Sequence, residues 1–342
     1  MHSIAIEGNP SPFHCAEHDT VLRSGLRAGL GFPYECNVGS CGNCKFELIE
    51  GEIENLWPES PGLSDKDRQK NRWLGCQSRA KTDLRIKLRT SEHYQAIHTP
   101  LITQAVLKRH TMLTHDISEF VFECDTPMGF SSGQYALIQL PGVKGPRAYS
   151  MSNAGANTQV LEFQVRRVPQ GLGSDVLFGL GVGDSVEIDG PYGMAYLREE
   201  ADRDLLLVGG GSGLAPMLSL ARGALMSERL QARQIHFLYG ARQVRDLCAE
   251  ELLKEASGLA HGTQGAHRVH YTSVLSNHPE NEALPAGCQT GFVHEVLEKM
   301  HGEQLGNFEI YFAGPPLMAQ AMIKLLVAQK APMSQVHFDQ FY

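Results

Sequence analysis

Four cysteines constrain this chain more than any other feature. Cys36, Cys41 and Cys44 lie in one short segment, Pro33-Tyr34-Glu35-Cys36-Asn37-Val38-Gly39-Ser40-Cys41-Gly42-Asn43-Cys44, and Cys76 follows in Leu74-Gly75-Cys76-Gln77. The pattern C-x4-C-x2-C with a distant fourth cysteine is the plant-type spacing of a [2Fe–2S] cluster. Two irons bridged by sulfide need four thiolates converging on one point. A chain that meets this demand must fold a tight loop against a neighbouring segment. Gly39, Ser40 and Gly42 supply small residues that let amides turn toward sulfur, since glycine adopts φ > 0 at little cost. Such amide contacts also help to set a reduction potential. Cys36, Cys41, Cys44 and Cys76 are therefore the expected metal ligands. Structural zinc favours separated knuckles such as C-x2-C, which three cysteines in one glycine-rich loop fit poorly. Disulfides belong mainly to secreted chains. The start, Met1-His2-Ser3-Ile4-Ala5-Ile6-Glu7, lacks the basic residues and apolar run of a signal peptide. Cys15, Cys124, Cys248 and Cys288 are scattered and are expected to be ordinary free thiols.

At 342 residues the chain has room for two or three domains. Its 42 % hydrophobic and 20 % charged fractions fit a soluble globular protein. No apolar run approaches the ~20 residues of a membrane helix, so no membrane segment and a cytoplasmic location are expected. A net charge of -8 argues against nonspecific binding to nucleic acid. Residues 1–92 hold 12 Lys+Arg and 13 Asp+Glu, a net of -1, so charge does not name a redox partner for the cysteine segment.

The elements fall into three groups. Residues 2–7 alternate as a strand, and Thr20 can cap a helix over Val21–Ala28 that ends near Gly29 and Gly31. Cys44–Ile49 alternates with Phe46 and Leu48 on one face. Ser64-Asp65-Lys66-Asp67 resembles a capping box, and the charges of Asp65–Arg72 read as a solvated helix face. Leu84, Ile86 and Leu88 mark a closing strand. Short strands, one helix and a cluster loop suit a β-grasp ferredoxin domain over 1–92, with a linker near Ser91–Pro100. Over 101–200 the chain is β-rich, with Glu119–Cys124, Gln134–Leu140, Val160–Val168 and Ser185–Ile188 punctuated by Gly and Pro, which predicts an antiparallel β-barrel. Over 203–342 strand and helix alternate. Leu205–Val208, Ile235–Tyr239, Glu309–Phe312 and Val336–Phe338 are strands, and Leu317–Ala328 is a helix. This predicts a doubly wound parallel sheet. The fold class is multidomain, α+β and α/β. The 15 histidines show no convincing metal pair, and Met217, Met318 and Met322 read as helix packing.

Three further segments carry chemistry. Gly209-Gly210-Gly211-Ser212-Gly213-Leu214-Ala215-Pro216 follows a strand and opens a helix, so its glycines would let a pyrophosphate approach a helix N-terminus. A glycine-rich turn that merely links strand to helix is the alternative. In Arg147-Ala148-Tyr149-Ser150, Arg147 offers a permanent cation to a phosphate, Tyr149 a flat face and Ser150 a hydrogen bond to a ring edge. Gly171-Leu172-Gly173-Ser174 can offer amides to a second phosphate. An ordinary strand with a surface arginine is the plain reading of the first of these in isolation.

Taken together these segments resemble the ferredoxin–NADP reductase superfamily. Its R-x-Y-S and G-x-x-S/T elements bind flavin, and its G-[ST]-G-x-x-P element binds the nicotinamide nucleotide. Tyr239-Gly240-Ala241-Arg242, Ala313-Gly314-Pro315-Pro316 and the terminal Asp339-Gln340-Phe341 fit three more family positions. With the cysteine segment in front, nearly the whole chain is similar to the reductase components of multicomponent bacterial oxygenases, such as the carbazole and naphthalene dioxygenase and toluene monooxygenase reductases. Ala313 departs from the cysteine that many superfamily members carry there, which bears on the tuning of hydride transfer.

The resemblance implies FAD, NADH and a [2Fe–2S] cluster as cofactors. It implies flavin contacts at Arg147, Ala148, Tyr149, Ser150, Gly171, Leu172, Gly173 and Ser174, and further cofactor contacts at Gln164, Val165 and Arg166. Nucleotide contacts are implied at Gly211, Ser212, Gly213, Pro216, Arg242, Ala313, Gly314 and Pro315. Phe341 is expected beside the flavin, and with Tyr149 and Ser150 it forms the expected catalytic set. The electron count agrees: NADH delivers two electrons at once, a [2Fe–2S] cluster accepts one, and a flavin converts between them. The expected activity is an NADH-dependent reductase that feeds an oxygenase, directly or through a separate ferredoxin, for hydroxylation of aromatic hydrocarbons. A reductase feeding a deoxysugar dehydratase shares this architecture. A redox sensor would need a DNA-binding helix pair or basic patch, and neither is present in the sequence.

Overall fold

The computed structural model describes residues 1–259, 268–279 and 281–341. The chain divides into two compact units. The first is Met1–Ile102 with Pro146–Ala148 and Asp189–Tyr192, and the second is the remainder.

In the first unit the strands are β1 (His2–Ile6), β2 (Phe13–Cys15), β3 (Lys45–Glu50), β4 (Ile53–Asn55), β5 (Arg72–Leu74), β6 (Ser78–Ala80) and β7 (Leu84–Lys87). Five of them form a sheet in the order β2-β1-β7-β3-β5, and β4 pairs with β6. β1 and β7 run parallel at its centre, while β3 lies antiparallel to β7. Helix α1 (Val21–Arg27) starts where the Thr20 hydroxyl accepts the Arg23 amide at 3.4 Å. Its Val21, Leu22 and Leu26 are buried in the core. Each such side chain contributes about 1.5–3 kcal/mol through the apolar surface it removes from water. Helix α2 (Asp65–Gln69) begins in the expected capping box of Ser64 and Asp67. The solvated-face reading of this segment fails at Asp67. That residue is buried, with Lys45 Nζ at 2.8 Å and Arg72 Nη1 at 3.3 Å. β3 and β5 are paired neighbours, and their cations converge on one carboxylate.

The middle of the chain adds β8 (Leu101–Met112), β9 (Ile117–Gly129), β10 (Tyr135–Gln139), β11 (Arg147–Ser150), β12 (Asn157–Arg166), helix α3 (Leu172–Phe178) and β13 (Ser185–Tyr192). The sheet order is β11-β10-β13-β8-β9-β12. A bridge between Met151 and Phe163 joins its two edges, so the expected antiparallel barrel closes.

The last part is a six-stranded sheet of β14 (Asp204–Gly210), β15 (Ile235–Ala241), β16 (Val269–Leu275), β17 (Cys288–Thr290), β18 (Phe308–Gly314) and β19 (Val336–Gln340). Its order is β17-β16-β15-β14-β18-β19, and every pairing is parallel. Helices α4 (Leu214–Met226) and α5 (Ala249–Leu259) cover one face, where Leu205 and Leu207 point. Helices α6 (Val293–His301) and α7 (Pro316–Ala328) cover the other, where Leu206 and Val208 point. This two-sided burial is why β14 reads as an unbroken apolar run. The strand order reverses between β14 and β18, the switch point where ligands bind outside the carboxyl ends of strands.

Candidate functional sites

The four expected cysteine ligands come together in the first unit. The Cys44 and Cys76 sulfurs lie 3.4 Å apart and are buried. The Cys41 amide points at Cys36 Sγ at 3.3 Å, and the Asn43 amide at Cys41 Sγ at 3.5 Å. All four are free thiols. Cys36 is held below the usual thiol range, to about 5, by the Cys41 thiol and by the amides of Val38, Cys41 and Ser40. Cys44 is lowered by the Cys76 thiol, while Cys41 and Cys76 are raised, each first by its own partner. In each close pair one sulfur is stabilised as thiolate by the other's S–H. This is the donor set a [2Fe–2S] cluster requires, and the residues fit it.

The loop is shaped by more than its cysteines. Gly39 and Gly42 have φ of +95° and +79°. A Cβ at Gly39 would stand 2.9 Å from the Trp57 ring, and one at Gly42 would stand 2.5 Å from the Gly62 carbonyl oxygen. The Gly62 amide donates to the Gly39 carbonyl at 3.1 Å, and the Ser60 hydroxyl donates to the same carbonyl. The segment 57–62 thus clamps the loop from outside. Arg23 braces it from α1, donating from Nε to Asn37 Oδ1 at 3.2 Å.

Of the expected cofactor residues, Arg147 to Ser150 form β11, Gln164 to Arg166 end β12, and Gly171 caps α3 with Leu172 to Ser174 in its first turn. Arg147 and Ala148 belong to the first unit, and Tyr149 and Ser150 to the second. Gln164 is 4 % exposed and follows the bridge residue Phe163. Both its amide atoms are buried without a hydrogen-bond partner of good geometry among the described residues, although Glu119 lies beside it. A buried polar group left unpaired costs about 1–3 kcal/mol, so a polar ligand group fits here. The turn of Gly171 to Ser174 is locked by its own atoms. Ser174 Oγ accepts the Val168 amide at 3.0 Å and sits 3.3 Å from the Gly171 carbonyl oxygen. A Cβ on Gly171 would meet Ser174 Oγ at 2.8 Å.

A cavity of about 460 Å³ opens at the carboxyl ends of β14, β15 and β16. Of the expected nucleotide residues, Gly211, Arg242 and Pro315 line it, and so does Arg166. Ser212, Gly213, Pro216, Ala313 and Gly314 do not. Gly213 has a different reason to be glycine, because a Cβ there would stand 1.9 Å from the Ala313 carbonyl oxygen. Gly211 has a φ of +58°, and its carbonyl accepts the Tyr239 hydroxyl at 3.2 Å. Phe341 is half-buried against the α4–α5 core, with its amide 3.4 Å from the Gly314 carbonyl. Met217 and Met322 are core residues as expected, and Met318 packs against the α6–α7 core as expected while also lining the cavity.

The sequence reading missed Asp116, Ser276, Phe292 and His294, which also line this space. Their signal is positional. Ser276 and Phe292 lie just beyond β16 and β17, at the strand ends where a doubly wound sheet binds ligands. Finding them requires the strand order.

Known proteins match along the chain. The 2Fe-2S iron-sulfur cluster binding domain matches residues 4–81, the oxidoreductase FAD-binding domain residues 104–196, and the oxidoreductase NAD-binding domain residues 207–324. A ferredoxin–NAD(P)+ reductase of Metapseudomonas resinovorans is 36 % identical over 354 residues, covering 100 % of both chains. The ferredoxin–NAD+ reductase component of an alkene monooxygenase system of Xanthobacter autotrophicus is 36 % identical over 337 residues, covering 96 % of this chain and 97 % of that one. Among solved structures, the ferredoxin reductase in carbazole 1,9a-dioxygenase superposes with a TM-score of 0.89 at 33 % identity, covering 100 % of this chain and 98 % of that chain.

Proposed function

Because the chain belongs to the ferredoxin–NAD(P)+ reductase family of oxidoreductases that join a [2Fe–2S] domain to FAD-binding and NAD-binding domains, we propose that it supplies electrons from NADH to an oxygenase acting on aromatic hydrocarbons. Delivery is direct or through a separate ferredoxin, in the cytoplasm. The domains run over 1–92, 101–200 and 203–342. Cys36, Cys41, Cys44 and Cys76 hold the cluster. Arg147 to Ser150 and Gly171 to Ser174 hold FAD, and Gln164 to Arg166 are further cofactor contacts, with Arg166 on the nucleotide side. Gly211 to Gly213, Pro216, Arg242 and Ala313 to Pro315 serve the nucleotide. When bound, FAD would supply the conversion between a two-electron donor and a one-electron acceptor.

The convergence of the four free cysteines carries this reading, since a one-electron centre gives the chain its place between a hydride donor and an oxygenase. The chain's own work is placement. No side-chain base is needed for hydride transfer, and the rate depends on holding the reacting atoms in line. Tyr149 and Ser150 would supply a flat face and a hydrogen bond to the flavin, and Phe341 would lie beside it.

NADH is the preferred donor. The cavity is lined by two arginines, Arg166 and Arg242, and by two carboxylates, Asp116 and Asp246. An extra 2′-phosphate would meet no excess of positive charge, and Asp246 beside Arg242 would repel it. The test is NADH and NADPH turnover with ferricyanide, followed by a panel of oxygenase components. Absence of NADH turnover refutes the reading, and a kcat/KM favouring NADPH refutes the donor assignment.

A further inference from the structure

A chain of charged groups runs along the rim of the nucleotide cavity, and the reading above gives no role to the way Asp116 and His115 connect Arg166 to Asp246. Arg166 ends β12 and lines the cavity. A Cβ on Gly211 would stand 3.4 Å from Arg166 Nη1, so this guanidinium faces the glycine-rich turn. Its Nε donates to Asp116 Oδ2 at 2.6 Å. Asp116 is itself fixed in the turn between β8 and β9. Its amide donates to Thr114 Oγ1 at 3.3 Å, its Oδ1 accepts from that hydroxyl at 3.2 Å, and its carbonyl accepts the Arg167 amide at 2.7 Å.

His115 extends the chain to the other rim. Its Nε2 lies 3.8 Å from Asp116 Oδ2, and its Nδ1 lies 3.5 Å from Asp246 Oδ1. The other oxygen of Asp246 accepts the Gln243 amide at 2.8 Å and so holds the turn that follows Arg242. The ligand atoms of His115, Asp116 and Asp246 lie within 4.8 Å of one another. A metal ion is the poorer occupant of this cluster, because the Arg166 guanidinium already supplies the positive charge at Asp116.

We propose that Asp116 and His115 are positioning residues for nucleotide binding. Asp116 aims the Arg166 cation at the phosphate-binding turn, and His115 ties that hairpin to the 243–246 turn on the opposite rim. An arginine side chain left free would lose rotamer entropy each time a nucleotide bound. Asp116 imposes that order beforehand. Asp116 also draws on part of the cation's charge. The net effect is favourable because the guanidinium keeps its Nη donors for the ligand while its Nε is held.

This inference rests on the NADH reading of the cavity. The experiment compares the FAD-loaded full chain with Asp116→Ala, Asp116→Glu and His115→Ala, using NADH and ferricyanide. Asp116→Ala is expected to raise the NADH KM about tenfold with kcat within about twofold, and with the flavin absorbance band and FAD content unchanged. Asp116→Glu should recover most of the affinity. His115→Ala should raise KM by a smaller factor, about two to three, because it removes the tie and leaves the Arg166 pair. A wild-type KM in Asp116→Ala overturns the proposal, as does a joint loss of kcat and FAD, which would mean a structural role only. If Asp116→Ala does not fold, Asp116→Asn keeps the shape, removes the charge and carries the same expectation. A wild-type chain without NADH turnover sinks the parent reading, whereas turnover with insensitive variants sinks this inference alone.

Discussion

Gly213→Ala tests whether the glycine-rich turn is built for the ligand or for the protein. The new Cβ would stand 1.9 Å from the Ala313 carbonyl oxygen and 2.4 Å from its carbon. Ordinary contact begins near 3.4 Å, so the backbones must part by about 1.5 Å, the difference between 3.4 and 1.9 Å. Neither side yields easily. Ala313 is fully buried near the end of β18, in register with Gly209 of β14, and Gly213 caps α4. The obstacle is backbone, not the tip of a flexible side chain. Overpacking of this kind costs roughly 1–3 kcal/mol, and the rigid setting argues for the upper part of that range. For a unit of this size that corresponds to a fall in Tm of roughly 4–12 °C. The assay is thermal unfolding followed by flavin fluorescence, with the visible absorbance of the cluster recorded in parallel. The flavin transition should fall while the cluster spectrum at 25 °C stays unchanged. Gly258→Ala in α5 is the control, because its Cβ meets nothing within 4 Å among the described residues and a glycine-to-alanine change in a helix should not destabilise it. A Gly213→Ala chain that melts with the wild type and keeps its NADH KM refutes the packing argument.

Three other perturbations separate the parts. Cys41→Ser should lose the cluster but keep FAD, so NADH would still reduce ferricyanide while reduction of an oxygenase component collapses; equal loss of both activities would contradict modular sites. Arg147→Ala should weaken FAD binding by about 1.5–3 kcal/mol, the worth of a hydrogen bond to a charged group, and full FAD occupancy after dialysis would remove Arg147 from the flavin site. Burial, then His301 and His270, pushes the His236 imidazole down to about 4, so the unfolded chain, near 6.5, binds the extra proton first. Stability contributed by neutral His236 is therefore complete above about pH 6.5 and declines as pH falls toward 4; His236→Phe should flatten the dependence of Tm on pH over that window, and an unaltered slope would show that His236 does not contribute.

What could be read from the sequence was set by local spacing. Thr20, the Ser64–Asp67 box and the apolar run Leu205 to Val208 each act within a few residues, and the structure places a cap, a capping box and a strand there. The cysteine loop was legible for the same reason, with Cys76 the one distant member. Readings failed where the decisive neighbour came from another strand. Asp67 looked solvated because nothing near it in sequence announces that β3 and β5 pair and bring Lys45 and Arg72 to it. Nothing in the sequence pairs the histidines either, and strand register brings His236 on β15 and His270 on β16 together with ring centroids 4.9 Å apart.

The same distinction divides the glycines of the turn after β14. Gly211 has φ > 0 and lines the cavity, so both the backbone and a ligand give it reason to lack a side chain. Gly213 faces a carbonyl of β18, and its reason lies wholly within the protein. A phosphate-binding motif read as one unit therefore contains two requirements of different origin. Altering Gly211 should act on nucleotide affinity and on the turn together, whereas altering Gly213 should act first on the seam between β14 and β18. That seam is the switch point of the sheet, where the cavity opens because the strand order reverses. The close approach that forbids a Cβ at Gly213 lies beside the β14–β18 pairing that joins the two halves of the sheet, at the place where the cavity opens.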